Sequence, residues 1–263
     1  MESNQLVFYE VDENVATIYL NNQPANALSV EVLQLLDEQL DDVQSNQEVK
    51  TIVITGKGKM FAAGADIKEF TEVFYDEGKG IEMAKNAHRI FRKIEQMKKP
   101  VIAAINGPCL GGGLELAMSC HLRISSNEAL LGQPETNLGL IPGYGGTQRL
   151  SRLVNPAKAL ELTIFGENIK GEEAEKIGLV NRSVVSDELM DMANEWARKI
   201  AATKSGHTIA KLLEATYRPF NGNDQDVDGL DHEAELFGKL FTTEDTQEGV
   251  HAFIEKRDAH FNN

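Results

Sequence analysis

Residues 100–150 constrain this chain more than any other segment: PVIAAINGPCLGGGLELAMSCHLRISSNEALLGQPETNLGLIPGYGGTQRL. Val101–Ile105 is an apolar run of strand length, bounded by Pro100 and Gly107. Gly111, Gly112 and Gly113 then lead into Leu114-Glu115-Leu116-Ala117-Met118, which are good helix formers. A strand that feeds a glycine-rich turn and then a helix leaves backbone N–H groups without intrahelical partners. The helix dipole adds positive potential at the same place. Two carboxylates bracket the segment. Glu115 falls in the first turn of the helix, and Glu135 follows Gln133-Pro134, where proline predicts a loop. Taken singly these features have ordinary explanations: close packing, a favourable dipole contact, a solvated side chain. Together they point to acid–base chemistry on a group that becomes an oxyanion, provided a second donor comes from elsewhere.

That second donor is sought upstream. Residues 6–11 and 15–20 read as a hairpin around Asp12-Glu13-Asn14. A polar loop, 21–27, follows. Ser29 reads as an N-cap with Glu31 in the first turn, and Val32, Leu33, Leu36, Leu40 and Val43 give helical spacing to about residue 44. Residues 51–55 are β-branched and short, a buried strand broken by Gly56-Lys57-Gly58-Lys59. Then comes Phe61-Ala62-Ala63-Gly64-Ala65-Asp66-Ile67-Lys68-Glu69. Its small residues let a ligand approach the backbone, and Asp66 is placed to cap a helix beginning near Ile67. Residues 83–97 form an amphipathic helix with Ala87, Ile90, Phe91 and Ile94 on one face.

Past the central segment, 121–125, 129–132 and 179–185 read as strands. Helices are predicted at 145–153, Pro156–Phe165 and 172–177, and then at 187–202, 206–217, 227–241 and 246–257 with no strand between them. An α/β core over 1–185 and a helical region over 186–263 are the expected divisions, the latter packing on a neighbouring subunit or on its own core. Charge limits the partners. With 41 acidic and 26 basic residues the net charge is −15, which argues against nucleic acid or an anionic membrane as the general partner. Cys109 and Cys120 lie in apolar surroundings and read as buried thiols, and no Cys/His cluster has zinc-ligand spacing, so no metal site is expected. The first five residues carry no secretory pattern and no apolar run reaches membrane-spanning length. A cytoplasmic location is the expectation.

The motifs 61–69, Asn106-Gly107 with 110–115, Gln133-Pro134-Glu135, and Ile141-Pro142-Gly143 with 145–150 resemble, in this order, the enoyl-CoA hydratases of the crotonase superfamily. The resemblance runs over nearly the whole chain. It implies an α/β fold, a spiral of ββα units followed by a C-terminal helical trimerisation region, as a homotrimer or a dimer of trimers. The backbone N–H groups of Ala65 and Gly112 would be the oxyanion-hole donors. Glu115 and Glu135 would be the catalytic carboxylates that hold and activate the added water, with Gly143 lining the water site. Ala25, Ala27, Ala63, Asp66, Ile67 and Lys68 would fall on the coenzyme A track, and Lys256 would reach a coenzyme A phosphate. Coenzyme A is part of the substrate, and no further cofactor is implied.

The implied activity is addition of water to short- or medium-chain trans-2-enoyl-CoA thioesters in acyl-CoA degradation. Double-bond isomerisation or decarboxylation is the alternative within the superfamily, though isomerases typically lack one of the two glutamates. RNA binding, known in one branch, needs a basic surface, and the net charge of −15 argues against it. Three positions depart from the pattern. His121 stands where acidic or asparagine residues are common, and is expected to be a packed or surface histidine. Tyr144 replaces a frequent alanine, which would narrow the acyl pocket. Asp258 replaces a common basic residue.

Overall fold

A computed structural model describes residues 5–217 and 229–261. The first two residues of the helix expected at 227–241, and most of the N-terminal pentapeptide, lie outside them. The chain opens on a hairpin, β1 (Val7–Asp12) and β2 (Val15–Leu20), whose two-residue loop has Glu13 at φ 46° and Asn14 at φ 66°. Positive φ at both central positions is the turn whose twist suits a two-residue hairpin. Helix α1 (Val30–Ser45) follows, capped by the Ser29 hydroxyl on the Val32 amide and burying the five predicted positions. At its other end Lys99 Nζ donates to the carbonyls of Val43 and Asn46, both at 2.7 Å, so a cation sits on the negative pole of the helix.

Next come β3 (Thr51–Gly56), the single turn α2 (Ile67–Phe70) and α3 (Glu77–Glu95), which buries Ala87, Ile90, Phe91 and Ile94. The central segment supplies β4 (Val101–Ile105), β5 (Cys109–Leu110) and α4 (Gly112–Ser119). Then follow β6 (Leu122–Ser126), β7 (Leu130–Gly132), a 3-10 helix (Pro134–Leu138), α5 (Gly146–Val154) and α6 (Pro156–Phe165). The order strand–strand–helix thus recurs. The remaining elements are β8 (Ile169–Lys170), α7 (Gly171–Lys176), β9 (Arg182–Val184), α8 (Leu189–Thr203), α9 (Gly206–Thr216), α10 (Gly229–Leu240) and α11 (Glu244–Glu255).

Six strands form one sheet in the order β1-β2-β3-β4-β6-β9, parallel from β2 onward, while β5, β7 and β8 form a second. Alternation along the central strands divides their side chains between two cores. Ile52, Ile54, Val101, Ala103 and Ile105 join the larger core with residues of α1, α3 and α4. Val53, Ile102 and Ala104 face the other way and meet Leu189, Ala193 and Ala197 of α8. Alanines four apart on α8 let that helix approach the sheet closely. The first helix of the strand-free region therefore covers the second face of the sheet.

Three sequence expectations change, the first being the helix expected at 83–97, which runs over Glu77–Glu95. The strand expected at 179–185 is confined to Arg182–Val184, because Leu179 and Val180 turn back on α7, their amides bonded to the Ala174 carbonyl at 2.8 and 3.2 Å. Glu135 lies in the 3-10 helix opened by Pro134, where a loop is predicted. Of the packed and surface placements expected for His121, the structure has the packed one: its Nδ1 accepts from the Val101 amide at 2.9 Å and its ring meets Tyr217 edge to face. Burial holds its pKa down at about 4. Cys109 and Cys120 are free and fully buried, and burial pushes the Cys120 thiol up to about 12. Among the described residues no helix is long and apolar enough to cross a membrane.

Candidate active site

Two short strand pairings bring the distant halves of the site together. Ala62 bridges to Cys109 and Ala65 to Leu28, so the 61–65 segment is held between 25–28 and the start of β5. The Ala63 amide donates to Ala25 O and the Leu28 amide to Gly64 O, at 2.9 and 2.8 Å. The turn before α4 is fixed from the other side. Gly111 N donates to Gly132 O at 2.9 Å, and Gly111 O accepts from Gln133 Nε2 at 3.0 Å. Gly111 has φ 50° and ψ −125°, a conformation in which only glycine is at ease. A Cβ on Gly113 would lie 2.2 Å from Ala62 O, so this glycine permits the two segments to cross.

The result is a pair of amides lying close to one another. A Cβ on Gly112 would sit 3.3 Å from Ala65 N, and one on Gly64 would sit 3.4 Å from Gly112 N. Neither the Ala65 nor the Gly112 amide has an acceptor among the described residues. Both residues line a cavity of about 770 Å3, together with Glu115 and Glu135.

Glu115 is 1% exposed. Its Oε1 accepts from the Tyr144 amide at 2.8 Å and the Gly146 amide at 2.6 Å, at the entry to α5. Burial, reinforced by the nearby Glu135 charge, outweighs these two donors and raises its pKa to about 8. Glu135 is only half-buried, and burial raises its pKa as well. Among the described residues its buried Oε2 has no hydrogen-bond partner, while Oε1 faces Gly111. Two carboxyls with raised pKa values beside two unoccupied amides can move protons about an oxygen that gains negative charge.

Of the residues singled out in the sequence, Ala63, Ala65, Ile67, Gly112, Glu115, Glu135 and Gly143 line the cavity. Ala25, Ala27, Asp66, Lys68 and Lys256 do not line it within one chain. Asp66 caps α2 through the Lys68 amide at 3.0 Å, Lys68 is exposed, and Lys256 closes α11 at φ 58°, also exposed. Sequence reasoning missed His88, whose Nε2 donates to Gly143 O at 2.8 Å and ties that loop to α3. It also missed the apolar lining from Phe70, Val73, Leu138, Leu140 and Ile141. The signal was present, since Leu138, Leu140 and Ile141 are large apolar residues clustered in a non-periodic stretch.

A cavity with paired amides and paired carboxyls suits proton transfer next to a polarised carbonyl. A family model described as enoyl-CoA hydratase/isomerase matches residues 10–263. A probable enoyl-CoA hydratase of Bacillus subtilis is 46% identical over 95% of this chain and 96% of its own. A short-chain-enoyl-CoA hydratase of Clostridium acetobutylicum is 44% identical over 98% and 97%. The crystal structure of an enoyl-CoA hydratase from Bacillus anthracis superposes with a TM-score of 0.87 at 36% identity, over 98% of this chain and 99% of the other. This chain belongs to the enoyl-CoA hydratase/isomerase family.

Proposed function

We propose that the protein is an enoyl-CoA hydratase acting on short- or medium-chain trans-2-enoyl-CoA thioesters. One observation carries the reading: Glu115 and Glu135 line a single cavity with Ala65 and Gly112, whose amides have no acceptor among the described residues. The thioester oxygen takes the Ala65 and Gly112 amides, and a water sits between Glu115 and Glu135. One carboxylate accepts a proton from the water as its oxygen bonds to the β-carbon. Electron density moves to the thioester oxygen, where the two amides stabilise it. The other carboxyl then gives its proton to the α-carbon. The pair ends with one proton, as it began, and the substrate has gained one water. Isomerisation needs no water site and has less use for a second carboxyl. The assay is loss of the conjugated absorbance of enoyl-CoA thioesters of increasing length. Absence of that loss with every thioester sinks the reading.

The pair titrates as a unit. With the upper group near 8, kcat/KM is expected to fall as pH rises past that value, because two ionised carboxyls leave no acid to protonate the α-carbon. A pH–rate profile that stays flat from about 7 to 10 contradicts the one-proton pair.

Coenzyme A enters as part of the substrate, without a further cofactor. The exposed Lys68 and Lys256 are the cations proposed for its phosphates, with Ala25, Ala27 and Asp66 along its path. A cytoplasmic location is proposed. So is a trimer-based assembly: α10, the turn after it and α11 expose Phe237, Phe241, Phe253 and Ile254, an apolar set that water disfavours. Sedimentation in dilute buffer is expected to give a trimer or a multiple of it. A clean monomer overturns the assembly.

A further inference from the structure

The ring of Tyr144 stands beside the paired amides. It is 6% exposed yet lines the cavity. The point where a Cβ on Gly112 would lie is 3.0 and 3.2 Å from the ring carbons Cδ2 and Cε2, and 3.3 Å from Ala65 N. Ring edge and oxyanion amide therefore flank the same small volume. An acyl group whose carbonyl oxygen reached the amides would run against the ring within its first few carbons.

The ring has little freedom to move aside. Phe91, fully buried, meets it edge to face with centroids 6.1 Å apart. Its own backbone is held at both ends, N–H on Glu115 Oε1 at 2.8 Å and C=O on Arg149 Nη1 at 2.9 Å. Arg149 is in turn fixed by Glu95 at 2.6 Å. The phenol has no hydrogen-bond partner among the described residues. Burial, with the Glu115 and Glu69 charges, pushes its pKa up, so it stays neutral. A rigid neutral ring is a wall, and a wall this close to the reacting carbons discriminates by shape.

We propose that Tyr144 is the specificity-determining residue of this site, restricting it to short acyl groups. The proposal rests on the acyl-CoA reading above, and the experiment separates the two. Butyryl-CoA and octanoyl-CoA, which are saturated and do not turn over, are titrated calorimetrically into the wild-type protein, Tyr144→Phe, Tyr144→Ala and Tyr144→Leu. Melting temperature and crotonyl-CoA turnover are measured on the same samples. A misfit of one methylene in an apolar pocket is worth roughly 10–200-fold. The wild type is therefore expected to bind butyryl-CoA at least ~10-fold more tightly than octanoyl-CoA. Tyr144→Phe keeps that ratio. Tyr144→Ala abolishes or inverts it, and Tyr144→Leu shifts it in the same direction should the alanine variant not fold. A folded alanine or leucine variant with the wild-type ratio overturns the proposal, as does a wild type that binds both thioesters equally. Ring-dependent discrimination without turnover by the wild type would instead sink the hydratase reading and leave the wall standing.

Discussion

Replacing Glu115 by Gln is expected to cut kcat for hydration by about 10²–10⁴-fold, the usual contribution of a positioned acid or base. The fold should survive. The amide oxygen can still accept from the Tyr144 and Gly146 amides, which hold Oε1 at 2.8 and 2.6 Å. KM should change little, because the lost interaction belongs to the transition state. Glu135→Gln should behave alike, and the double variant should be scarcely worse than the poorer single one, since both carboxyls act on one water. A double loss equal to the product of the two would show that they work independently. The same substitution has a stability signature. Glu115 has a folded pKa near 8 against an ordinary 4.5, so its contribution is fully present below about 4.5 and is lost as pH rises through about 8. Relative to wild type, Glu115→Gln should therefore gain melting temperature as pH goes from about 5 to 9.

Gly111→Ala is the second large expected loss, and it strikes fold and catalysis together. The residue sits at φ 50° and ψ −125°, and a Cβ there would lie 2.9 Å from Glu135 Oε1. Holding a non-glycine residue in a sparsely populated backbone region costs about 1–3 kcal/mol. The crowding displaces a carboxyl that must meet a water, and a misplacement of about 1 Å can cost 10²-fold in rate. A melting temperature lower by several degrees, with kcat down at least ~10²-fold in the folded protein, is the expected result. An alanine variant with native melting temperature and kcat would remove Gly111 from the turn that positions the site.

The elements legible in the sequence were those whose signal is local. Five buried positions on α1 and four on α3 follow from helical spacing, and the Ser29 and Asp66 caps from residue type. Glu115 beside the glycine turn was equally plain. The strands β5 and β8 are two residues each, too short to show any period, yet with β7 they build the second sheet that anchors the turn. Nor does residue type reveal that the Glu115 carboxylate is held by amides 29 and 31 positions away. Gly112 carries the same lesson. Proline at the first position of a helix is ordinarily harmless. Here any side-chain carbon meets the Tyr144 ring at 3.0 Å, so Gly112→Pro would disturb the wall as well as delete the donor. That contact joins residues 32 apart and exists only in the folded chain.

Hydration is decided by where the water oxygen and the protons go. The wild-type protein is allowed to act on crotonyl-CoA in deuterium oxide, and the product is read by proton NMR and mass. A 3-hydroxyacyl thioester carrying one deuterium on the α-carbon is the predicted product, with formation nearly abolished in Glu115→Gln. A product of unchanged oxygen content, with only the double bond shifted, would contradict the hydration of the substrate between Glu115 and Glu135.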